Sequence, residues 1–128
     1  MRVLIVVAHG SRKKASAAEV AALAEKLEKK SRDFDWITHA FLQFSDPLLP
    51  EVIAAAVDKG ADQVVLFPFF IATGGHVLED IPEAAAQAKD KYPGVSFTIT
   101  RHLGVADGVP DLILDEVAAQ VAGMNKGA

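Results

Sequence analysis

The chain has 128 residues, a formal net charge of −4 and no cysteine, which is enough for one domain around one hydrophobic core. The missing cysteine excludes disulfides, thiolate metal sites and a cysteine nucleophile, and the acidic balance argues against a nucleic-acid partner. No apolar run approaches the ~20 residues of a membrane span, and the amino terminus lacks a signal-peptide pattern. We therefore expect a cytoplasmic protein that binds neither nucleic acid nor membrane.

Short apolar runs alternate with amphipathic segments along the chain. The first run, residues 3–8, is continuous and β-branched, which is typical of a buried parallel strand. The predicted strands cover residues 3–8, 35–44, 63–70 and 95–100, and the predicted helices cover residues 16–30, 46–59, 80–91 and 108–121.

Capping residues mark several helix boundaries. Asp46 is predicted as the N-cap of the second helix, with Pro47 at its first position. Gly60 is predicted as the glycine that follows the end of this helix. The third helix is predicted to begin near Asp80 or Pro82, with Asp80 as its cap.

The β-α-β-α-β-α-β-α order predicts an α/β fold with a parallel four-stranded sheet, helices on both faces and right-handed crossovers. This is a flavodoxin-like three-layer arrangement. Residues 1–122 are predicted to form one domain, and residues 123–128 a frayed tail. Four strands are few for such a sheet, so we expect a second copy of the chain to complete an open edge or face as a homodimer.

Two histidines lie where predicted strands end. His9 follows the first strand, and His76 follows the third strand after Gly74 and Gly75. The carboxyl ends of parallel strands open onto one edge of the sheet, so both imidazoles are expected in one cleft. Imidazole binds divalent transition metals and accepts a proton near neutral pH. The pair predicts a metal or proton-transfer site, whereas the plainer alternative makes His9 a hydrogen-bonded strand-end residue.

A basic run follows His9. Ser11, Arg12 and Lys13 lie beside the start of the first helix, where a helix amino terminus and cations together favour an anion. Arg101, after the fourth strand, could neutralise an acidic substrate group. The alternative is that these cations are solvated surface residues.

Other polar residues are candidates for secondary roles. Glu79 could orient His76, since metal-bound histidines usually donate their other N–H to a carboxylate or carbonyl. His102 ends the fourth strand and could line the same cleft, whereas His39 lies inside the second strand and is predicted to be structural. Glycine-rich nucleotide motifs and a nucleophile elbow are absent from the sequence.

Several segments, in this order, resemble the CbiX/SirB group of sirohydrochlorin chelatases in its short single-domain form. They are His9-Gly10-Ser11, Asp46-Pro47, Phe67-Pro68-Phe69-Phe70 leading to Gly75-His76, Asp80-Ile81-Pro82 and Leu103-Gly104. In the last segment His102 stands where the family has proline. The resemblance covers nearly the whole chain and implies a chelatase-like fold that works as a homodimer.

The resemblance implies a lyase that inserts a divalent metal into sirohydrochlorin, an anionic tetrapyrrole, in cobalamin or siroheme biosynthesis. The metal is a substrate, Co2+ in first place with Fe2+ or Ni2+ as alternatives, and no organic cofactor is implied. His9 and His76 become the catalytic and metal-binding pair, with Glu79 and His102 as further metal candidates. The substrate-binding candidates are Ser11, Arg12, Lys13, Gly74, Gly75 and Arg101.

Two other functions fit parts of this pattern. A phosphohistidine phosphatase or mutase uses a histidine followed by glycine, but normally with arginine directly before it, where this chain has Ala8. A non-catalytic tetrapyrrole or metal carrier of the same fold would need the same cleft as a chelatase. Turnover of sirohydrochlorin separates the carrier from the enzyme.

Overall fold

The computed structural model describes residues 1–72, 74 and 77–126, without the side chains of residues 77, 78 and 124–126. Nine elements follow one another along the described chain. The strands are β1 (Arg2–Ala8), β2 (Trp36–Phe41), β3 (Gln63–Pro68) and β4 (Ser96–Ile99), and the helices are α1 (Lys14–Lys30), α2 (Leu49–Asp58), α3 (Val77–Lys91) and α4 (Val109–Lys126), with a 3-10 turn at Leu103–Val105.

The four strands form one parallel sheet in the order β2-β1-β3-β4. β1 and β3 occupy the centre because their continuous apolar runs can be buried on both faces. In the register, Val7 of β1 lies opposite Ala40 of β2 and Pro68 of β3. The predicted α/β fold and its parallel four-stranded sheet are confirmed.

The core lies on both faces of this sheet. Val6 and Ala8 of β1 face α1 and pack in a cluster with Val20 and Phe41. The alternate β1 residues face the other way, because successive strand side chains point to opposite faces. The larger cluster on that face brings together β1, α2 and α3 and includes Val3, Ile5, Val7, Leu49, Ile53, Leu66, Ile81 and Ala85.

The chain between β2 and α2 differs from the prediction. β2 ends at Phe41 rather than residue 44, and α2 begins at Leu49 rather than Asp46. The reason is a turn that doubles back, so that the Phe41 amide donates to the Pro47 carbonyl over 2.9 Å. Asp46 is therefore not the N-cap and Pro47 is not the first helical residue. That end of α2 has Leu48 at the cap and a proline in its first turn.

The predicted starts and ends of the other helices are partly correct. Gly60 follows α2 with φ +105°, as expected for a helix-terminating glycine. α3 begins at Val77, so Asp80 lies in its first turn rather than at its cap, and Pro82 lies inside the helix. α4 extends to Lys126, beyond its predicted end at residue 121, and residues 127–128 lie outside the described residues. The domain of residues 1–122 and the frayed tail of residues 123–128 stay predictions.

α4 contributes little to the core. Every residue from 111 to 123 is exposed, including the apolar side chains of Leu112, Ile113, Leu114, Val117 and Val121. Within the described part of the chain, no helix is both long and apolar enough to cross a membrane. The sheet is thus covered by α1 on one face and by α2 and α3 on the other, and α4 leaves an apolar surface open to solvent.

Candidate active site

His9 lies immediately after β1, at the carboxyl edge of the sheet between the ends of β2 and β3. The next residue, Gly10, has φ +106°, a conformation that glycine adopts readily and other residues rarely do. A Cβ at Gly10 would overlap the carbonyl oxygen of Gln43. Gly10 therefore allows the loop after β1 to lie directly against the turn after β2.

Hydrogen bonds join these two loops. The Gln43 amide donates to the His9 carbonyl over 3.0 Å. The Ser11 amide donates to the Ser45 hydroxyl oxygen over 3.0 Å, and that hydroxyl donates back to the Ser11 carbonyl over 2.7 Å. The loop that carries His9 is consequently fixed by the turn of residues 42–45.

The imidazole of His9 has two different nitrogen environments. Its Nε2 lies 2.8 Å from the side-chain amide nitrogen of Gln43, which makes Nε2 the acceptor because an amide nitrogen only donates. Its Nδ1 is buried and has no hydrogen-bond partner among the described residues. An unpaired buried polar atom costs about 1–3 kcal/mol. Of the two ring nitrogens, Nε2 is therefore the one that can exchange its hydrogen-bond partner for a ligand at the surface.

A cavity of about 290 Å³ opens beside His9. Phe69 and Phe70, which follow β3, line this cavity. The Phe69 amide donates to the Val7 carbonyl over 2.8 Å, which keeps this segment paired with β1. The first turns of α1 form another wall, so the cavity is mixed in polarity. Its lining residues are Ala8, His9, Gly10, Ser11, Ser16, Ala17, Glu19, Val20, Phe41, Phe69 and Phe70.

The predicted basic run lies at the rim of this cavity. The hydroxyl oxygen of Ser11 accepts the Lys13 amide over 3.1 Å and so supports the entry into α1. Arg12 and Lys13 are exposed, and the Arg12 guanidinium lies 4.9 Å from the centre of the Phe44 ring. The first turn of α1 contains no acidic residue, so the positive end of the helix is not offset within that turn, and Glu19, further along α1, lines the same cavity.

Arg101 and His102 lie in a second cavity, of about 280 Å³, at the end of β4. In the described chain, the lining of this cavity shares no residue with that of the His9 cavity. Arg101 lies 3.5 Å from Asp107 with both side chains mostly exposed, so the pair adds little stability. His102 therefore lies in a cavity next to that of His9 in the described structure, and its place in a shared cleft stays a prediction.

The remaining candidates are distributed along the loop after β3 and the start of α3. Gly74 is exposed, with open space where a Cβ would stand, and Glu79 lies in the first turn of α3. Gly75 and His76 lie outside the described residues. Within the described ranges, no three histidine, aspartate or glutamate side chains form a group that could hold a metal ion.

Gly104 lies in close contact with the chain that leaves β3. Its amide donates to the Phe70 carbonyl over 2.9 Å, and a Cβ at this position would overlap the Ile71 carbonyl oxygen. The 3-10 turn therefore packs directly against the chain that leaves β3. This contact holds the two cavities side by side along the sheet edge.

His39 lies away from both cavities. It lines a separate cavity of about 480 Å³ between α1 and β2. Burial lowers the pKa of His39, opposed by the nearby Glu25 carboxylate. The ring also contacts Phe41 edge-on at 5.5 Å.

Sequence reasoning missed the turn of residues 42–45 as part of the site. Its residues read as the end of an alternating strand, and nothing in the local pattern indicates that Gln43 faces His9. Phe44 has φ +66°, which is rare for a bulky residue. Contacts between residues more than thirty positions apart, such as Ser11 with Ser45, arise only when β1 and β2 pair.

The parallel α/β sheet of this chain is also found in solved structures of chelatase-like proteins. SirB from Bacillus subtilis subspecies spizizenii, a sirohydrochlorin chelatase solved with cobalt, superposes with a TM-score of 0.80 at 25% identity, over 92% of this chain and 50% of that chain. A CbiX protein from Marinobacter aquaeolei VT8 has the same fold, with a TM-score of 0.82 at 22% identity over 95% of this chain and 98% of that chain.

The CbiX family profile matches residues 3–120, and the chain belongs to this family. The chloroplastic sirohydrochlorin ferrochelatase of Arabidopsis thaliana is 30% identical over 89% of this chain and 50% of its own length. The sirohydrochlorin cobaltochelatase of Methanocaldococcus jannaschii is 32% identical over 72% of this chain and 64% of its own length. The chain thus spans about half to two thirds of these relatives.

Proposed function

We propose that this protein inserts a divalent metal into sirohydrochlorin, with Co2+ as the first candidate and Fe2+ or Ni2+ as alternatives. One observation carries the proposal: the CbiX family profile matches residues 3–120, which include the lining of the His9 cavity, and relatives named as sirohydrochlorin chelatases match most of the chain. These relatives include both ferrochelatases and cobaltochelatases, so their names support the substrate ring and leave the metal open. Their names give no support to a non-catalytic carrier.

His9 is proposed to act through Nε2. Metal insertion must remove two protons from pyrrole nitrogens and transfer the metal from its earlier ligands to the ring. A neutral imidazole can bind the metal or accept a proton at Nε2 once the Gln43 amide gives up that lone pair, and the burial of Nδ1 leaves this work to Nε2. No organic cofactor is needed for these steps.

His76 is proposed as the second group of the pair. It lies outside the described residues, but the segment that leads to it leaves β3 beside His9, where Phe69 and Phe70 line the same cavity. Two imidazoles allow one to hold the metal while the other accepts a proton. Glu79 and His102 remain candidates for an additional metal ligand.

Cations at two places along the sheet edge are proposed to bind the carboxylates of the tetrapyrrole. Arg12 and Lys13 lie on the β1 side, and Arg101 lies on the β4 side beyond the Gly104 contact. Ser11, Gly74 and Gly75 are proposed to let the ring approach the backbone. This distribution offsets the net charge of −4, which alone would repel a polyanionic substrate.

Anaerobic turnover tests the function. The protein is incubated with sirohydrochlorin and Co2+, Fe2+ or Ni2+ at matched concentrations, and the absorbance of the ring is followed against a protein-free reaction. We expect faster metallation with at least one metal, and the ranking of rates identifies the preferred metal. Tight binding of sirohydrochlorin without acceleration by any of the three metals would instead support a carrier.

A homodimer is proposed in which the apolar surface of α4 packs against a second copy. The chain exposes 8333 Å², whereas a compact monomer of 13.6 kDa exposes about 6,600 Å². The apolar side chains of α4 account for part of this excess. This chain covers half of the SirB chain. In a homodimer, a second copy would take the place of the other half.

Replacing Ile113 or Val117 with glutamate is expected to convert the dimer to a monomer. Both side chains are more than half exposed, so a charge disturbs a surface between copies without disturbing the monomer core. Ala122→Glu is the matched control, because at 3.6 residues per turn it lies on the opposite side of α4. Sedimentation velocity gives the mass of each variant, and a wild-type monomer, or dimeric Ile113→Glu and Val117→Glu variants, would contradict the proposal.

A further inference from the structure

Phe44 is held in a backbone conformation that it would not adopt by itself. Its φ of +66° lies in the left-handed region, where a bulky side chain crowds the backbone. The side chain is 56% exposed, so burial does not compensate for this cost. Strained residues of this kind concentrate at functional sites.

The turn around Phe44 keeps it there. Gln43 on one side is bonded to His9 through both its backbone amide and its side chain, and Ser45 on the other side is bonded twice to Ser11. With both neighbours fixed, the ring at position 44 projects beside His9, with ring centres 6.4 Å apart and planes at 67°. The turn therefore presents an aromatic side chain at the mouth of the candidate active site.

The Phe44 ring lies close to a cation and to the aromatic lining of the cavity. The Arg12 guanidinium lies 4.9 Å from the ring centre, and such cation–π contacts favour one position of a long side chain. Phe69 and Phe70, which follow β3, line the cavity beside His9. Aromatic side chains thus follow both of the strands that pair with β1, and Arg12 lies beside the one after β2.

We infer that Phe44 is a stacking surface for a flat macrocycle whose reacting centre faces His9, and that Arg12 pairs with a carboxylate at the edge of that macrocycle. This inference rests on the proposed function. A conjugated ring has large faces that stack on an aromatic side chain, and its peripheral carboxylates accept hydrogen bonds from a guanidinium. The strain at Phe44 is then the cost of offering the aromatic ring to the substrate rather than to the core.

The test compares two aromatic–arginine pairs. Phe34 is contacted by Arg2 at 5.9 Å and lies before β2, at the amino edge of the sheet, so Phe34→Ala is the matched control. The dissociation constant of metal-free sirohydrochlorin is measured by fluorescence, and KM and kcat are measured for metal insertion. Phe44→Ala is expected to raise the dissociation constant and KM about tenfold with little change in kcat. Phe44→Trp should retain binding, and Phe34→Ala should leave both constants unchanged.

Thermal stability provides a second readout. Phe44→Gly relieves the left-handed backbone, so it is expected to raise or maintain the melting temperature while weakening sirohydrochlorin binding as much as Phe44→Ala. A residue kept only for folding would show a lower melting temperature and unchanged binding, which overturns the inference. An equal loss of binding in Phe34→Ala overturns it too.

The two proposals fail in different ways. A wild-type protein that neither binds nor metallates sirohydrochlorin overturns the proposed function and this inference together. A wild-type protein that metallates sirohydrochlorin, with a Phe44→Ala variant of unchanged dissociation constant and KM, overturns the inference alone.

Discussion

The His9→Ala variant is expected to insert metal into sirohydrochlorin at least about 100-fold more slowly than the wild type, in line with the loss of a positioned acid–base group. The variant loses the Nε2 lone pair that can hold the metal or take a pyrrole proton. Its stability is expected to be unchanged or higher, because the substitution removes a buried Nδ1 that has no partner in the described chain. Loss of activity with retained stability distinguishes a catalytic residue from a structural one.

His39→Ala is the matched control for this experiment. It removes an imidazole from the same sheet, but one that lines the cavity between α1 and β2. Initial rates are measured anaerobically at saturating sirohydrochlorin, and melting temperatures are measured for each variant. His9→Ala at the wild-type rate, or an equal loss in His39→Ala, would remove His9 from the mechanism. The same loss is expected for His76→Ala.

The order of the elements and the position of His9 were predictable because buried parallel strands have a simple pattern. Residues 3–8 are continuously apolar, and β1 spans Arg2–Ala8. The first polar residue after such a run must lie at the carboxyl edge of the sheet. The glycine after α2 was equally predictable, because Gly60 follows an amphipathic helix and takes a positive φ.

The turn after β2 was not predictable from local sequence. Asp46 and Pro47 have the pattern of a helix start, but Pro47 is held by the Phe41 amide and the helix begins later. The bonds from Gln43 to His9 and from Ser45 to Ser11 depend on which strands pair. Secondary-structure propensity depends only on the local segment, whereas the conformations of Gln43 and Ser45 depend on partners more than thirty residues away.

α4 shows a different limit of sequence reasoning. Its apolar residues predict a helix with a buried face, but a helical pattern does not say what covers that face. The structure leaves residues 111–123 exposed. We propose that a second copy of the chain covers these residues. The sequence of α4 itself therefore cannot indicate which surface it packs against.

The Gly10→Ala variant is expected to lose most metal-insertion activity and to be destabilised by about 2–5 kcal/mol, the sum of two costs. A positive φ costs a non-glycine residue roughly 1–2 kcal/mol, and overpacking adds about 1–3 kcal/mol. Gly60→Ala separates them, since Gly60 has φ +105° and open space around its Cβ position, whereas at Gly10 the Cβ would meet the Gln43 carbonyl. Gly60→Ala should therefore show only the first cost and retain activity.

Urea unfolding gives the free energy of each variant, and insertion rates are expressed per folded molecule. The clash at Gly10 can be relieved only by moving the turn of residues 42–45 away from the loop after β1. That movement shifts the loop that carries His9 and displaces Phe44 from the mouth of the cavity, so folded Gly10→Ala should still be slow. Equal destabilisation of the two variants, with wild-type rates in both, would mean that the packing of these two loops does not control the orientation of His9.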